Sequence, residues 1–446
     1  MKWICRSLVA TAVFAGACDV PERSAGTGGI DLRGAGGIPA AAGGRAGASG
    51  APTMADQGGA AGEGFEPPGC GRGFVVISSD YQSSSVALLG LDGEVLSGSF
   101  ISSGSELPGL SSALTGDVVA PTMPAGDEVL LIDRYPAGVL TWVDLRTASV
   151  TRQLSVATGF ASNPHDYVEV SPTKAYVPRF EPNPASGQEP FDGGGDVLIV
   201  DPSVPEIVGR IDLTDTVNDS RYTLRADRAV LVDDRLVVLL GASTLDFVDT
   251  LPSRLAVIDV NTDVVTQVLV LDGMHACSAM AAAPKQDEIA VACSGNWGGD
   301  NTAELATSGV VRVALEPTLA EIERYPASSF GEGSVAFGIA YASHDVLAFT
   351  SFGRFAGVDG GALDDTLIQL DLGSGESETI LRSTAEPFTL GDVRCDAACA
   401  VCLVTDAKRS GGVVHHLTMT DDGLGEHREI AIDDGIGLPP RSLGQF

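Results

Sequence analysis

An all-β fold built by repetition is predicted by three observations. A short strand ending in an acidic turn recurs: aligning LTWVDL, VLIVDP, LAVIDV, VRVAL and LIQLDL puts Asp144, Asp201, Asp259, Ala314 and Asp371 in register, 57, 58, 55 and 57 residues apart. The same slot falls at Gly90, 54 residues before Asp144, and at Thr418, 47 after Asp371, which makes seven units. Each unit has room for four strands with apolar residues at every second position, and no segment after residue 70 carries a helical period of useful length. Seven four-stranded antiparallel sheets set radially form a β-propeller, which leaves only short strand edges exposed.

The chain begins with MKWICRSLVATAVFAGAC, where Lys2 and Arg6 precede an apolar run too short to span a membrane. Residues 1–17 therefore read as an export signal. Ala15, Gly16 and Ala17 directly before Cys18 resemble a bacterial lipobox, which implies that Cys18 becomes a lipidated N-terminus and that acyl chains hold the protein to a membrane. Residues 18–69 read as a tether. Positions 24–64 hold 14 Gly and 11 Ala with no apolar periodicity, too little hydrophobic surface to offset ordering. The expected location is the bacterial cell envelope, lipid-anchored and either periplasmic or surface-exposed.

The propeller is expected over 70–446. Its middle units resolve into four strands each, for example DYVEVSP, KAYVPRF, DVLIVDP and IVGRIDL. The first unit offers only FVVISSD, VALLGL and EVLSGSF, one strand short. The C-terminal segment GLPPRSLGQF is expected to supply the missing strand and close the ring. The phrases WVDLRTASVTRQLSV and VIDVNTDVVTQVLVL, with Asn163, Pro164 and Asp166 before an inner strand, resemble the YVTN-type seven-bladed propellers of bacterial and archaeal surface proteins. That resemblance covers residues 73–446, strongest in the middle units. It speaks to fold and leaves function open, because such propellers bind, scaffold or catalyse.

Setting aside Cys5 and Cys18, six cysteines remain in a chain expected to be exported, so disulfides are expected. Cys277 and Cys293 flank a hairpin and should face one another across it. Among Cys70, Cys395, Cys399 and Cys402 two bridges are expected, one of them tying Cys70 to the last blade, with the partners left open. The rival is zinc held by Cys395, Cys399, Cys402 and His415 or His416.

A net charge of −32 with four lysines and no basic cluster excludes nucleic acid as a partner. Loop length points to the working face. Turns joining first to second strands, such as SPT and DD, are short, whereas the second-to-third loops EPNPASGQEPFDGGG, ASTLDFVDTLPS, SGNWGGDNTAELATS and FGRFAGVDGGALDD are long and share the opposite face with the blade-to-blade crossings. That face collects Arg134, Tyr135, His165, Arg179, Arg221, Tyr222, His275, Asn296, Trp297 and Arg354. Guanidinium forks beside aromatic rings suit a protein, glycan or small anionic ligand. Asn163, Pro164 and Asp166 are expected to be structural, with His165 free to look into the channel.

The expected function is thus a binding or interaction module, monomeric and without a resident cofactor. The alternative is a metal-assisted hydrolase or lactonase at the channel mouth, with calcium as its ion. No G-x-S-x-G, H-E-x-x-H or phosphate-binding loop is present.

Overall fold

The computed structural model describes residues 70–124, 128–296, 301–355, 361–383, 387–408, 411–420, 423–432, 435 and 437–446. The segment carrying Cys18, the tether and Trp297 lie outside them.

Seven four-stranded antiparallel sheets form a seven-bladed propeller. Numbering blades from the first strand, the innermost strands of blades 2 to 7 are Val118–Val119, Val168–Ser171, Thr223–Val232, Cys277–Ala282, Val335–Ser343 and Leu390–Asp396. Blade 1 takes its innermost strand from the other end of the chain. Pro440–Gln445 pairs antiparallel with Gly73–Ser79, with Leu443 opposite Val76. The two ends of the domain therefore share one sheet, and the ring closes by hydrogen bonds that neither end makes alone.

The repeated acidic slot is turn chemistry. Asp144 ends the third strand of blade 2, and its carboxylate accepts from the amide of Thr147 at 2.8 Å and its hydroxyl at 2.9 Å. Asp259 repeats this with Thr262, Asp371 with Ser374, and Asp201 with Ser203. Such short-range capture of the backbone by Asp fixes the turn between third and fourth strands. It recurs in four of the seven blades, while Gly90, Ala314 and Thr418 take the slot in the other three.

Apolar alternation puts the core between blades. The described residues form seven buried clusters, and each spans one blade interface. At the interface of blades 2 and 3, Trp142 meets Tyr167 edge-to-face with ring centroids 5.7 Å apart. Outer strands are half-exposed, as in Val264–Val270, whose residues alternate between exposed and half-buried.

Three disulfides are formed: Cys277–Cys293, Cys395–Cys402 and Cys70–Cys399. The first two join residues directly opposite on antiparallel strands. The third connects the start of the domain to blade 7 beside the closing strand. Because these bonds use all six cysteines, the zinc alternative has no thiolate left.

Each innermost strand starts from a blade-to-blade crossing, and the second-to-third loop returns to the same end. Both loop sets share one face. The described residues of its second-to-third loops are 183–193, 244–253, 294–296 with 301–308, and 352–355 with 361–364, whereas first-to-second turns on the other face are as short as 172–173, 233–234 and 344–345. The loop of blade 5 includes a short helix, Asn301–Ala306, a single element too brief to leave a period in the sequence.

Candidate functional site

The innermost strand of blade 3 is preceded by Asn163-Pro164-His165-Asp166, and the two titratable residues divide between two roles. Asn163 sits at a positive φ of 51°, a conformation Asn tolerates better than most residues. The Asp166 carboxylate then accepts amide hydrogens from Thr122 at 2.8 Å, Tyr167 at 2.9 Å and Ala229 at 3.0 Å. It binds together chain from blades 2, 3 and 4.

His165 does not pair with its sequence neighbour. Its Nδ1 lies 2.7 Å from Oδ1 of Asp227, on the innermost strand of blade 4. A carboxylate only accepts, so Nδ1 carries the proton, and Nε2 is left as a buried lone pair without a hydrogen-bond partner among the described residues. Burial holds the imidazole below its ordinary pKa, with Asp227 acting in the opposite sense and Arg134 and Arg228 adding to the depression. The ring stacks on Phe180 at 4.3 Å, nearly parallel, and beyond it the Arg225 guanidinium sits between Phe180 at 5.0 Å and Phe247 at 3.9 Å. Glu181 holds Arg225 at 2.8 Å. Blades 3 and 4 thus stack ring, guanidinium and ring in one layer, with His165 and Arg225 buried.

On the far side, blades 6 and 7 present a second aromatic series. Phe337 on the innermost strand of blade 6 contacts Phe352 at 5.0 Å, Phe352 contacts Phe388 at 5.2 Å, and Phe388 contacts Phe355 at 6.0 Å. Phe337 lines the channel, and Phe355 stands exposed on the rim.

The expected ring of arginines does not converge. Arg179 is corrected to a structural strut: fully buried, it donates to both oxygens of Asp196 at 2.8 Å, to Thr158 Oγ1 at 2.6 Å and to the Phe191 carbonyl at 2.6 Å. Arg134 is likewise corrected, buried and ion-paired with Asp117. Arg221 reaches Asp219 at 2.7 Å on the surface and lies over the ring of Tyr222. Arg354 is held by Glu332 at 2.6 Å and the Gly361 carbonyl at 3.0 Å. Each of these four guanidinium groups finds a nearby carboxylate because the chain carries 59 acidic residues against 27 basic ones. His275 shares a hydrogen bond with Thr250 at 2.8 Å, and burial lowers its pKa. The Asn296 amide is fixed by Thr307 Oγ1 at 2.8 Å. Tyr135 stands free on the rim at 55% exposure.

Sequence reasoning did not find Asp227, Phe180, Arg225, Phe247 or the phenylalanine series. A usable signal existed in TLRADRAVLV, where Arg225, Asp227 and Arg228 interrupt an otherwise apolar innermost strand. Among the described residues no group of three or more His, Cys, Asp or Glu is placed to hold a metal ion.

No protein-family model matches the sequence, and no curated protein does. Solved structures match along nearly the whole propeller. A hypothetical selenium-binding protein from Sulfolobus tokodaii gives a TM-score of 0.55 at 10% identity, covering 85% of this chain and 94% of that one. The periplasmic gluconolactonase of Pseudomonas aeruginosa gives 0.53 at 11%, covering 84% and 98%. A protein from Lactobacillus plantarum gives 0.53 at 12%, covering 84% and 99%. At such identities the likeness is one of fold.

Proposed function

We propose that this protein is a lipid-anchored envelope propeller of the YVTN type that works as a binding module through its long-loop face. One observation carries the binding role. Tyr135, Leu245, Val248 and Phe355 are 55%, 65%, 50% and 51% exposed, and all four stand on second-to-third loops, of blades 2, 4 and 6. Large apolar side chains held out on a rigid frame are a feature of interaction sites. A partner covering them gains roughly 25 cal/mol per Å² of apolar surface removed from water. The expected partner is a protein, glycan or small anionic ligand. Three disulfides support an oxidising compartment, and the Ala15-Gly16-Ala17-Cys18 sequence supports the lipid anchor.

The test compares the wild-type domain with a Leu245→Ser, Phe355→Ser double variant on a glycan array and against purified envelope proteins. Partners held by the wild type and lost, at least tenfold, by a normally folded variant are the expected outcome; identical binding by both would remove the reading. Labelling with a radioactive fatty acid should mark the wild type and leave Cys18→Ser unmarked.

A second reading, lactone hydrolysis at the channel mouth, is favoured by the His165–Asp227 pair. A base oriented through Nδ1 with a free Nε2 is an arrangement suited to activating water. Turnover of glucono-δ-lactone by the purified domain, abolished in His165→Gln, would support it, and no turnover above the spontaneous rate would dismiss it.

A further inference from the structure

We propose that the channel, just inside the long-loop face, seats the carboxylate of a small organic acid whose apolar body lies on the phenylalanines above it; this rests on the binding role of that face and names its ligand class. Arg179, Arg225 and Arg312 each place a terminal nitrogen 2.8 Å from a carboxylate. Arg228 and Arg394 do not. Their nearest carboxylates, Asp227 and Asp392, lie 3.8 and 3.7 Å away and only from Nε. Arg228 donates one Nη1 hydrogen to the His165 carbonyl at 2.9 Å, and Arg394 donates Nε to the Leu443 carbonyl at 3.2 Å. A guanidinium has five N–H donors. The remaining donors of both find no acceptor among the described residues, although the side chains are only 18% and 12% exposed.

Both guanidinium groups line one cavity, with Thr122, Met280, Phe337 and Asp392 among its other walls. Arg228 and Arg394 come from blades 4 and 7, and both strands run inward from the long-loop face. Thr122 adds a hydroxyl that is buried without a partner among the described residues, while its amide is fixed by Asp166. Donors are therefore in surplus around this cavity, and the Thr122 hydroxyl is the buried one whose lack of a partner is costly. An oxyanion supplies the missing acceptors, and a guanidinium fork fits the two oxygens of a carboxylate. Asp392 limits the charge. Its carboxylate accepts from the Leu443 amide at 3.0 Å and stays in the cavity wall, so a monoanion is favoured over a doubly charged phosphate. The apolar complement is the phenylalanine series, which begins at Phe337 in the cavity and ends at Phe355 on the rim.

Calorimetric titration with benzoate and with its uncharged isostere benzamide tests this. Benzoate is expected to bind one-to-one, with benzamide at least tenfold weaker. Arg228→Gln, with Thr122→Val as a milder variant should the first not fold, is expected to weaken benzoate tenfold or more and to leave benzamide unchanged. Equal binding of the two probes, or unchanged benzoate binding by a folded Arg228→Gln, would overturn the carboxylate seat. Phe355→Ser separates the two levels. If it weakens both probes while charge has no effect, the face binds apolar ligands and only the carboxylate seat falls; if no substitution changes either probe, both readings fall.

Discussion

The carboxylate of Asp166 accepts three backbone hydrogens from three segments, and that sets the expected effect of removing it. Each stranded buried N–H costs about 1–3 kcal/mol. Asp166→Ala should lower unfolding free energy by about 3–5 kcal/mol in a denaturant titration, with Asp166→Asn losing less because an acceptor remains. The sequence left His165 free to look into the channel, outside the structural set. The geometry points the other way, since His165→Ala leaves Asp227 buried without its donor and uncovers Phe180; about 2–4 kcal/mol of destabilisation is expected. The histidines also set a pH dependence. Burial lowers the pKa of His165, His275 and His427 below the ordinary 6.5. The unfolded chain then binds protons that the native state refuses, so stability is complete above pH 6.5 and falls as pH drops through and below that value. Melting temperature should hold steady from pH 8.5 to 7.5 and decline from 7 to 5.5. His165→Gln should flatten part of that decline.

At the level of elements, the recurring Asp turns were legible because their chemistry is local: an Asp and a Thr or Ser two or three residues on are enough to form them. Hydrogen bonds hold Asp144, Asp201, Asp259 and Asp371 below the ordinary carboxylate pKa. Their contribution is therefore present above about pH 4 and lost as pH falls through the depressed values. The Cys277–Cys293 hairpin was legible for the same reason, two cysteines bracketing one turn. Which of Cys395, Cys399 and Cys402 meets Cys70 was not, because all three sit within one hairpin and only its register decides. Cys395 and Cys402 face each other across the strands, which leaves Cys399 in the turn for Cys70. That bond joins positions 329 residues apart. Loop-closure entropy alone assigns so long a loop about 6 kcal/mol, so Cys70→Ser should lower the melting temperature by several degrees without changing blade structure by circular dichroism. Deleting residues 440–446 should be more severe, since it removes a strand from blade 1 and leaves both flanking blade interfaces open.

Across the whole molecule, charge and ring closure act together. The chain's net charge of −32, all but one unit of it within residues 70–446, repels itself throughout a closed ring of blades. Screening by salt should raise the melting temperature between 10 and 300 mM sodium chloride, most steeply at the low end, where the Debye length is still long. What the sequence by itself determined is the repeat: seven units, four strands in each, acidic turns, and long loops gathered on one face. These follow from residues close together in the chain, where alternation and turn chemistry suffice. Only the tertiary structure decided which side chains meet. His165 stands next to Asp166 in sequence, yet its carboxylate partner is Asp227, 62 residues away. Arg179, expected on the surface, is buried against Asp196, while Arg228 and Arg394, from innermost strands of different blades, line one cavity. The physical reason is that a propeller brings its innermost strands around one axis, so channel neighbours are set by the angle between blades and not by separation along the chain.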